Sequence, residues 1–125
     1  MITGKIIPGT TITSPTTVYT SSGSNAVTTI ILCNTGTPSL TDEASNSIDV
    51  NIYLVSPSSG GDNATTGNGS LVVSKLTVPA GETVFFSEER VVLSDGDLVR
   101  VGYQMSNGAS PVSNLLTVTV STLPV

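Results

Sequence analysis

Apolar and polar residues alternate along several short stretches of the chain. The clearest is Ile48–Val55, in which Ile, Val and Leu occupy the even positions while Asp49, Asn51 and Tyr53 occupy odd ones. Successive side chains of a β-strand point to opposite faces, so this period of two predicts a half-buried strand with one solvated face. Residues 116–121 repeat the pattern, with Leu and Val alternating with Thr and Ser.

Other apolar runs between turn residues predict the remaining strands. Residues 26–33 are almost continuously apolar, which is typical of a central strand covered on both faces. In residues 72–78 the pattern places Val72, Leu76 and Val78 on the core side. Shorter strands are predicted in residues 5–7, Thr16–Thr20, Thr83–Phe86, 90–93 and 98–103.

The pattern as a whole predicts an all-β protein. No segment has helical periodicity, and about eight short strands separated by turns indicate a single small antiparallel β-sandwich, immunoglobulin-like or jelly-roll-like. Residues 16–125 are expected to form this domain. Residues 1–15 are either its first strand or an N-terminal arm in which Ile6 and Ile7 pair with the sheet edge of a neighbour.

Two turn motifs interrupt the second half of the chain. Proline at the second position of Val78-Pro79-Ala80-Gly81 and glycine at the fourth suit a type I turn. Asp95-Gly96-Asp97 lies between two apolar runs, which favours a hairpin turn. Its two carboxylates have the spacing of calcium ligands, but no third acid follows, so we interpret the motif as a turn.

Composition narrows the choice of function. The chain has 125 residues, enough for one domain with its own core, and 37 of them are Ser or Thr. The four basic residues form no cluster against nine acidic ones, so we expect no nucleic-acid partner. No apolar run is long enough for a membrane span or a signal peptide, which predicts a chain made in a cytoplasm with no membrane partner.

The sequence contains few of the residue combinations that catalytic sites use. There is no histidine, no Ser-x-x-Lys pair and a single cysteine, Cys33, within an apolar run that predicts a small buried side chain. Glu88 and Glu89 are adjacent, so in a strand they face opposite sides and cannot act as a glycosidase pair. We therefore expect no enzyme, no catalytic residue, no metal site and no cofactor.

Six strand and turn motifs follow one another between residues 16 and 121: "TTVYT", "VTTIILCNTG", "VNIYLV", "LTVPAGETVFFS", "LSDGDLVRVG" and "LLTVTVS". Their order resembles that of small β-sandwich virion proteins of tailed bacteriophages. The expanded loop at residues 56–70 and the Ser-rich turn at residues 21–25 depart from the pattern.

The resemblance implies a non-enzymatic structural subunit that is repeated in a phage particle. It implies a location in the virion, either on the capsid surface as a decoration or cement protein or at the neck or tail. It also implies that the partners are other virion proteins, such as the major capsid protein, and copies of the chain itself.

Two sets of residues distinguish this hypothesis from its alternative, an adhesin-like module that holds carbohydrate or calcium in its loops. The alternative predicts that the loop acids meet at one end of the sandwich: Asp42, Glu43, Asp62, Asp95 and Asp97. The assembly hypothesis predicts an exposed apolar patch. Its candidate interface residues are Ile6, Ile7, Tyr19, Leu40, Tyr53 and Val55.

Overall fold

Nine β-strands make up the regular structure of the chain. A computed structural model describes residues 1–9, 12–41, 45–87, 90–110 and 112–125, and in these ranges the helical structure is one 3-10 turn at Gly61–Asn63. The strands are β1 (Ile2–Ile7), β2 (Thr16–Thr20), β3 (Asn25–Asn34), β4 (Ile48–Val55), β5 (Leu71–Val78), β6 (Thr83–Phe86), β7 (Val91–Leu93), β8 (Leu98–Met105) and β9 (Leu116–Pro124). The prediction of an all-β fold is confirmed.

The strands form two antiparallel sheets that enclose one core. Sheet A has the order β1-β9-β3-β6, and β7 also pairs with β3, so that β6 and β7 act as one interrupted edge strand. Sheet B has the order β2-β8-β4-β5. Their facing sides supply the core, which contains mostly Val, Ile and Leu together with the fully buried Tyr103.

The pairing order is that of a jelly roll. The first strand pairs with the last, β2 with β8, β3 with the β6/β7 edge, and β4 with β5. The chain passes from one sheet to the other between successive strands, except at the β4–β5 pair in sheet B and the β6/β7 edge in sheet A, as in double-sheet jelly rolls. This order decides between the two sandwich types that the sequence left open, because an immunoglobulin fold pairs its strands differently.

Residues 2–7 form the edge strand of sheet A. Each of them pairs with β9, from Ile2 opposite Ser121 to Ile7 opposite Leu116. Ile7 has no exposed surface and belongs to the core, as does Leu116 beside it. This end of the chain is therefore part of the sandwich framework.

The two turn motifs both carry the chain from one sheet to the other. In the first, the N–H of Glu82 donates to the carbonyl of Pro79 and Gly81 has a φ of +79°, which is the third position of a type II turn rather than the type I turn predicted. In the second, the N–H of Asp97 donates to the carbonyl of Ser94. The expected hairpin there is wrong, because β7 and β8 lie in different sheets.

Bulges change which side chains face the core. In β5 the register shifts between the pairs Val50–Leu76 and Ile52–Val73, and Lys75 has a positive φ of 52°. The extra residue reverses the alternation, so Val73 packs against the core and Val72, predicted to face inward, is exposed. A period-two pattern cannot locate such an insertion.

Candidate interaction surface

Four of the six candidate interface residues are buried within the chain itself. Ile7, Tyr19, Tyr53 and Val55 each have less than a tenth of their surface exposed. Of the other two, Leu40 is fully exposed in the connection between β3 and β4, and Ile6 is 59% exposed on β1. The expectation that Tyr19, Tyr53 and Val55 form an exposed patch is therefore wrong.

Tyr19 is buried because β2 contains a bulge. The pairing with β8 shifts between Thr17 and Tyr19, so the consecutive residues Val18 and Tyr19 both belong to the core. Simple alternation would have placed one of them in solvent.

Tyr53 is buried because a distant segment covers the outer face of sheet B. Its hydroxyl donates to the carbonyl of Ile12 at 3.3 Å and accepts from the side-chain amide of Asn51 at 3.0 Å. A methyl group added at Gly102 would lie 3.3 Å from the Ile12 carbonyl oxygen and from Cα of Pro15, so residues 12–15 cross this face closely. Asn51, Tyr53 and Val55 share this face of β4, and all three are buried.

The long loop after β4 folds toward the same face. Arg100, which pairs with Tyr53, donates from Nε to Thr17 Oγ1 at 2.9 Å and from Nη1 to Thr66 Oγ1 at 2.8 Å. The loop also makes its own hydrogen bonds, including Ser70 Oγ to the carbonyls of Thr65 and Gly67. Other segments of the chain therefore cover the middle of the outer face of sheet B, around Tyr53 and Arg100, whereas Lys75 and Thr77 on the edge strand β5 stay exposed.

The carboxylates of the Asp95-Gly96-Asp97 turn are engaged inside the molecule. Asp97 is 8% exposed, and its oxygens accept from Ser56 Oγ at 2.7 Å and from the N–H of Ser94 at 2.9 Å. Asp95 Oδ1 accepts from the N–H of Gly23 at 2.8 Å. These bonds tie the β7–β8 turn to the β2–β3 turn and to the loop after β4, which is a structural role.

The loop acids do not form a visible metal site. Asp62 is exposed in the loop after β4, and Asp42 and Glu43 lie outside the described residues. Among the residues that the structure describes, no three His, Cys, Asp or Glu side chains are placed to hold a metal ion. In the same part of the chain every buried side-chain nitrogen and oxygen has a hydrogen-bond partner, so no polar group points unpaired into a site.

The outer face of sheet A differs from that of sheet B in chemistry and in coverage. The strand register shows which residues lie on the outer face of sheet A, because cross-strand partners share a face. We call it the neutral face. Row by row across the sheet it consists of Thr83, Cys33, Thr117 and Ile6; Phe85, Ile31, Thr119 and Gly4; Thr29, Ser121 and Ile2; and Val92, Ala26 and Leu123.

None of these described strand residues is charged. The edge strands and the last row carry large exposed side chains, with Phe85 63%, Val92 60%, Leu123 53% and Ile2 74% exposed. The middle is lined by short hydroxyl side chains, and Thr28 Oγ1 lies 3.2 Å from Ser121 Oγ. The result is an uncharged surface with apolar margins.

An apolar cavity of about 600 Å³ opens at the side of the sandwich between β5 and the β6/β7 edge, and Phe85 at the margin of the neutral face also lines it. Its described lining comes from side chains such as Ile30, Val73 and Phe86, with Ser87 the polar member. It offers hydrophobic contact but no charged group in that lining, so it has no feature that would orient a polar substrate.

Comparison of the chain with protein-family models, with curated proteins and with solved structures finds no match. In the described ranges no helix is long and apolar enough to cross a membrane. The function proposed below therefore rests on the surface of the chain.

The neutral face was not predicted from the sequence, although two signals for it are present. The alternate residues Thr117, Thr119 and Ser121 contain hydroxyls and no charge, whereas a solvated strand face usually carries charged residues. The continuous apolar run in β3 predicts cover on both faces. In the structure its outer residues Ile31 and Cys33 are only half-buried, so the described part of the chain does not supply this cover.

Proposed function

We propose that the chain is a non-enzymatic structural subunit of a bacteriophage particle. It would dock on the capsid surface as a decoration or cement protein, or on the neck or tail. The observation that carries the proposal is the asymmetry of the two outer faces: the chain covers sheet B with its own segments and leaves the neutral face of sheet A open. Exposed apolar patches of this kind mark protein interaction sites.

Two further features support an assembly role. The motifs of residues 16–121 resemble those of small phage virion proteins, and jelly rolls are a recurrent architecture of viral capsid domains. Jelly rolls also occur in lectins and cupins, so the fold alone does not choose between them. The choice rests on the surface, since the described loops offer hydrogen-bonded turns while the sheet offers an open uncharged face.

Quantitative mass spectrometry of purified virions of the phage that encodes the chain tests this proposal. We expect many copies per particle, retained through density-gradient purification. Detection of the chain in infected-cell lysate but not in purified virions would contradict a structural role. Immunogold labelling of intact particles then separates a capsid location from a neck or tail location.

A further inference from the structure

The neutral face is an open surface in a molecule whose sheet edges are protected against pairing. Sheet edges invite pairing with other strands, and proteins block them with lysines, bulges and short or interrupted strands. Each edge strand here carries such a device. Lys5 lies on β1 opposite Val118, β2 has five residues and a bulge, β5 carries Lys75 at its bulge, and the β6/β7 edge is interrupted.

Among the described strand residues, charge is also absent from this face. The charged residues within strands are Lys5, Asp49, Lys75 and Arg100. The last three lie in sheet B, and Lys5 pairs with Val118, a core residue, so it is on the opposite side of β1 from the neutral face. Arg90 comes one residue before β7 and is not part of the strand.

We propose that the neutral face pairs with the same face of a second copy of this chain about a two-fold axis. A charged partner surface would lose hydration against this face without gaining a counter-charge, which is costly. The partner must therefore present an uncharged face, and the matching one in the described chain is this face itself. A two-fold axis makes such a patch self-complementary.

Net charge points to the same pairing mode. Each copy carries a net charge of −5, so two copies repel when they approach through surfaces that carry acids. Face-to-face contact of two neutral faces places no like charges directly opposite each other. It also stacks the two sheets at the spacing of about 10 Å that is normal between packed sheets.

The area reaches the lower limit for a specific dimer. Four strand positions about 4.8 Å apart and the 9 residues of β9 at about 3.4 Å each give a flat area of roughly 19 by 30 Å per copy. Two copies together would bury about 1,100 Å², close to the ~1,000 Å² lower limit of a specific interface.

The dimer would be the contact between copies of the chain in the proposed particle, and only this role in the particle rests on the proposed function. Sedimentation of the purified full chain over a range of concentrations tests it directly. We expect the wild type to form a dimer at micromolar concentration. Thr119→Lys places a charge at the centre of the face, and Phe85→Lys places one at an exposed margin. Two positions are used so that at least one of the variants folds.

Each substitution occurs twice in a two-fold dimer, because both copies contribute the same face. Desolvating an unpaired charge costs several kcal/mol, so we expect at least about 100-fold weaker association for Thr119→Lys. The effect of Phe85→Lys should be smaller, because a lysine at this margin keeps its ammonium group partly hydrated. Gln104→Lys is the matched control, since Gln104 is a half-buried residue on a central strand, β8, of sheet B. It should dimerise like the wild type. Circular dichroism establishes that all variants are folded.

Cys33 gives a second readout that a general loss of stability would not mimic. Its half-buried thiol lies in the first row of the neutral face. Reaction with a thiol reagent should slow as wild-type concentration rises, and should not depend on concentration in Thr119→Lys.

A wild type that stays monomeric, or variants that associate like the wild type, would overturn the inference. So would a Gln104→Lys variant that is disrupted as strongly as Thr119→Lys. Failure of the proposed function is distinguishable, because it means absence from purified virions whether or not the protein dimerises.

Discussion

Asn34 illustrates how single polar residues hold the interior of this sandwich together. Its side chain is fully buried, and Nδ2 donates to the carbonyls of Asn46 at 2.8 Å and Val78 at 2.9 Å, while Oδ1 accepts from the N–H of Gly36 at 2.9 Å. It joins the end of β3 to the end of β5 and to the β3–β4 connection. The asparagine in the motif "VTTIILCNTG" thus has a structural explanation.

Replacing Asn34 with Ala should destabilise the fold by about 2–4 kcal/mol. The substitution leaves two carbonyls and one N–H without this partner, and each unpaired buried group costs about 1–3 kcal/mol. Urea denaturation followed by circular dichroism measures the change. Asn68→Ala, at an exposed loop position, should stay within about 0.5 kcal/mol of the wild type. Equal stability of the two variants would show that the Asn34 contacts are not needed.

Calcium should leave the stability of the protein unchanged. Asp97 and Asp95 already accept hydrogen bonds from Ser56, Ser94 and Gly23, so binding an ion would require breaking them. We expect the same melting temperature in calcium and in chelator, while Asp97→Ala lowers stability by about 1–3 kcal/mol. Asp62→Ala, at an exposed position, is the control for that loss. A melting temperature that rises by many degrees with calcium would favour the adhesin-like alternative.

At the scale of elements, the positions of the strands were predictable and their side-chain orientation was not. All the predicted strands occur, because period-two patterns and turn residues are local signals. Tyr19 and Val72 were assigned to the wrong side because single-residue bulges reverse the alternation. Tyr53 was misassigned because its cover, residues 12–15, is distant in sequence. Neither effect leaves a local trace in the pattern.

The edge strand β1 offers a matched pair of neighbouring substitutions. Ile7 is fully buried in the core and Ile6 is exposed. Ile7→Ala should destabilise by about 2–5 kcal/mol, because it removes buried methyl groups and leaves a cavity. Ile6→Ala should change the stability of dilute, monomeric protein by no more than about 0.5 kcal/mol. Thermal or urea unfolding distinguishes them, and equal effects would contradict the placement of β1 in the sandwich.

Deleting residues 1–14 tests the whole element. The truncation removes Ile7 and Ile12 and exposes the edge of β9, so we expect a protein that is unfolded or strongly destabilised at room temperature. A truncated protein that folds normally but no longer enters virions would instead mean that this segment acts as a docking arm.

At the scale of the whole molecule, wrapping the chain as a jelly roll separates two surfaces. The connection after β1 and the loop after β4 both fold over sheet B, whereas no described segment is bonded across the middle of the neutral face of sheet A. The charged strand residues follow the same division. A soluble monomer has no evident need for this asymmetry, but a subunit that pairs through one face does.

The division of charge predicts the sign of the salt effect on pairing. Two copies with a net charge of −5 and centres about 20 Å apart repel by about 5 kcal/mol in water without salt, on a point-charge estimate. Salt shortens the Debye length from about 30 Å at 0.01 M to about 8 Å at 0.15 M, which removes most of this repulsion. The contacts of the neutral face contain no ion pairs for salt to weaken. Dimerisation should therefore tighten roughly tenfold or more over this range, as measured by sedimentation. A dimer that weakens with added salt would instead be held by charged contacts and would place the interface elsewhere on the molecule.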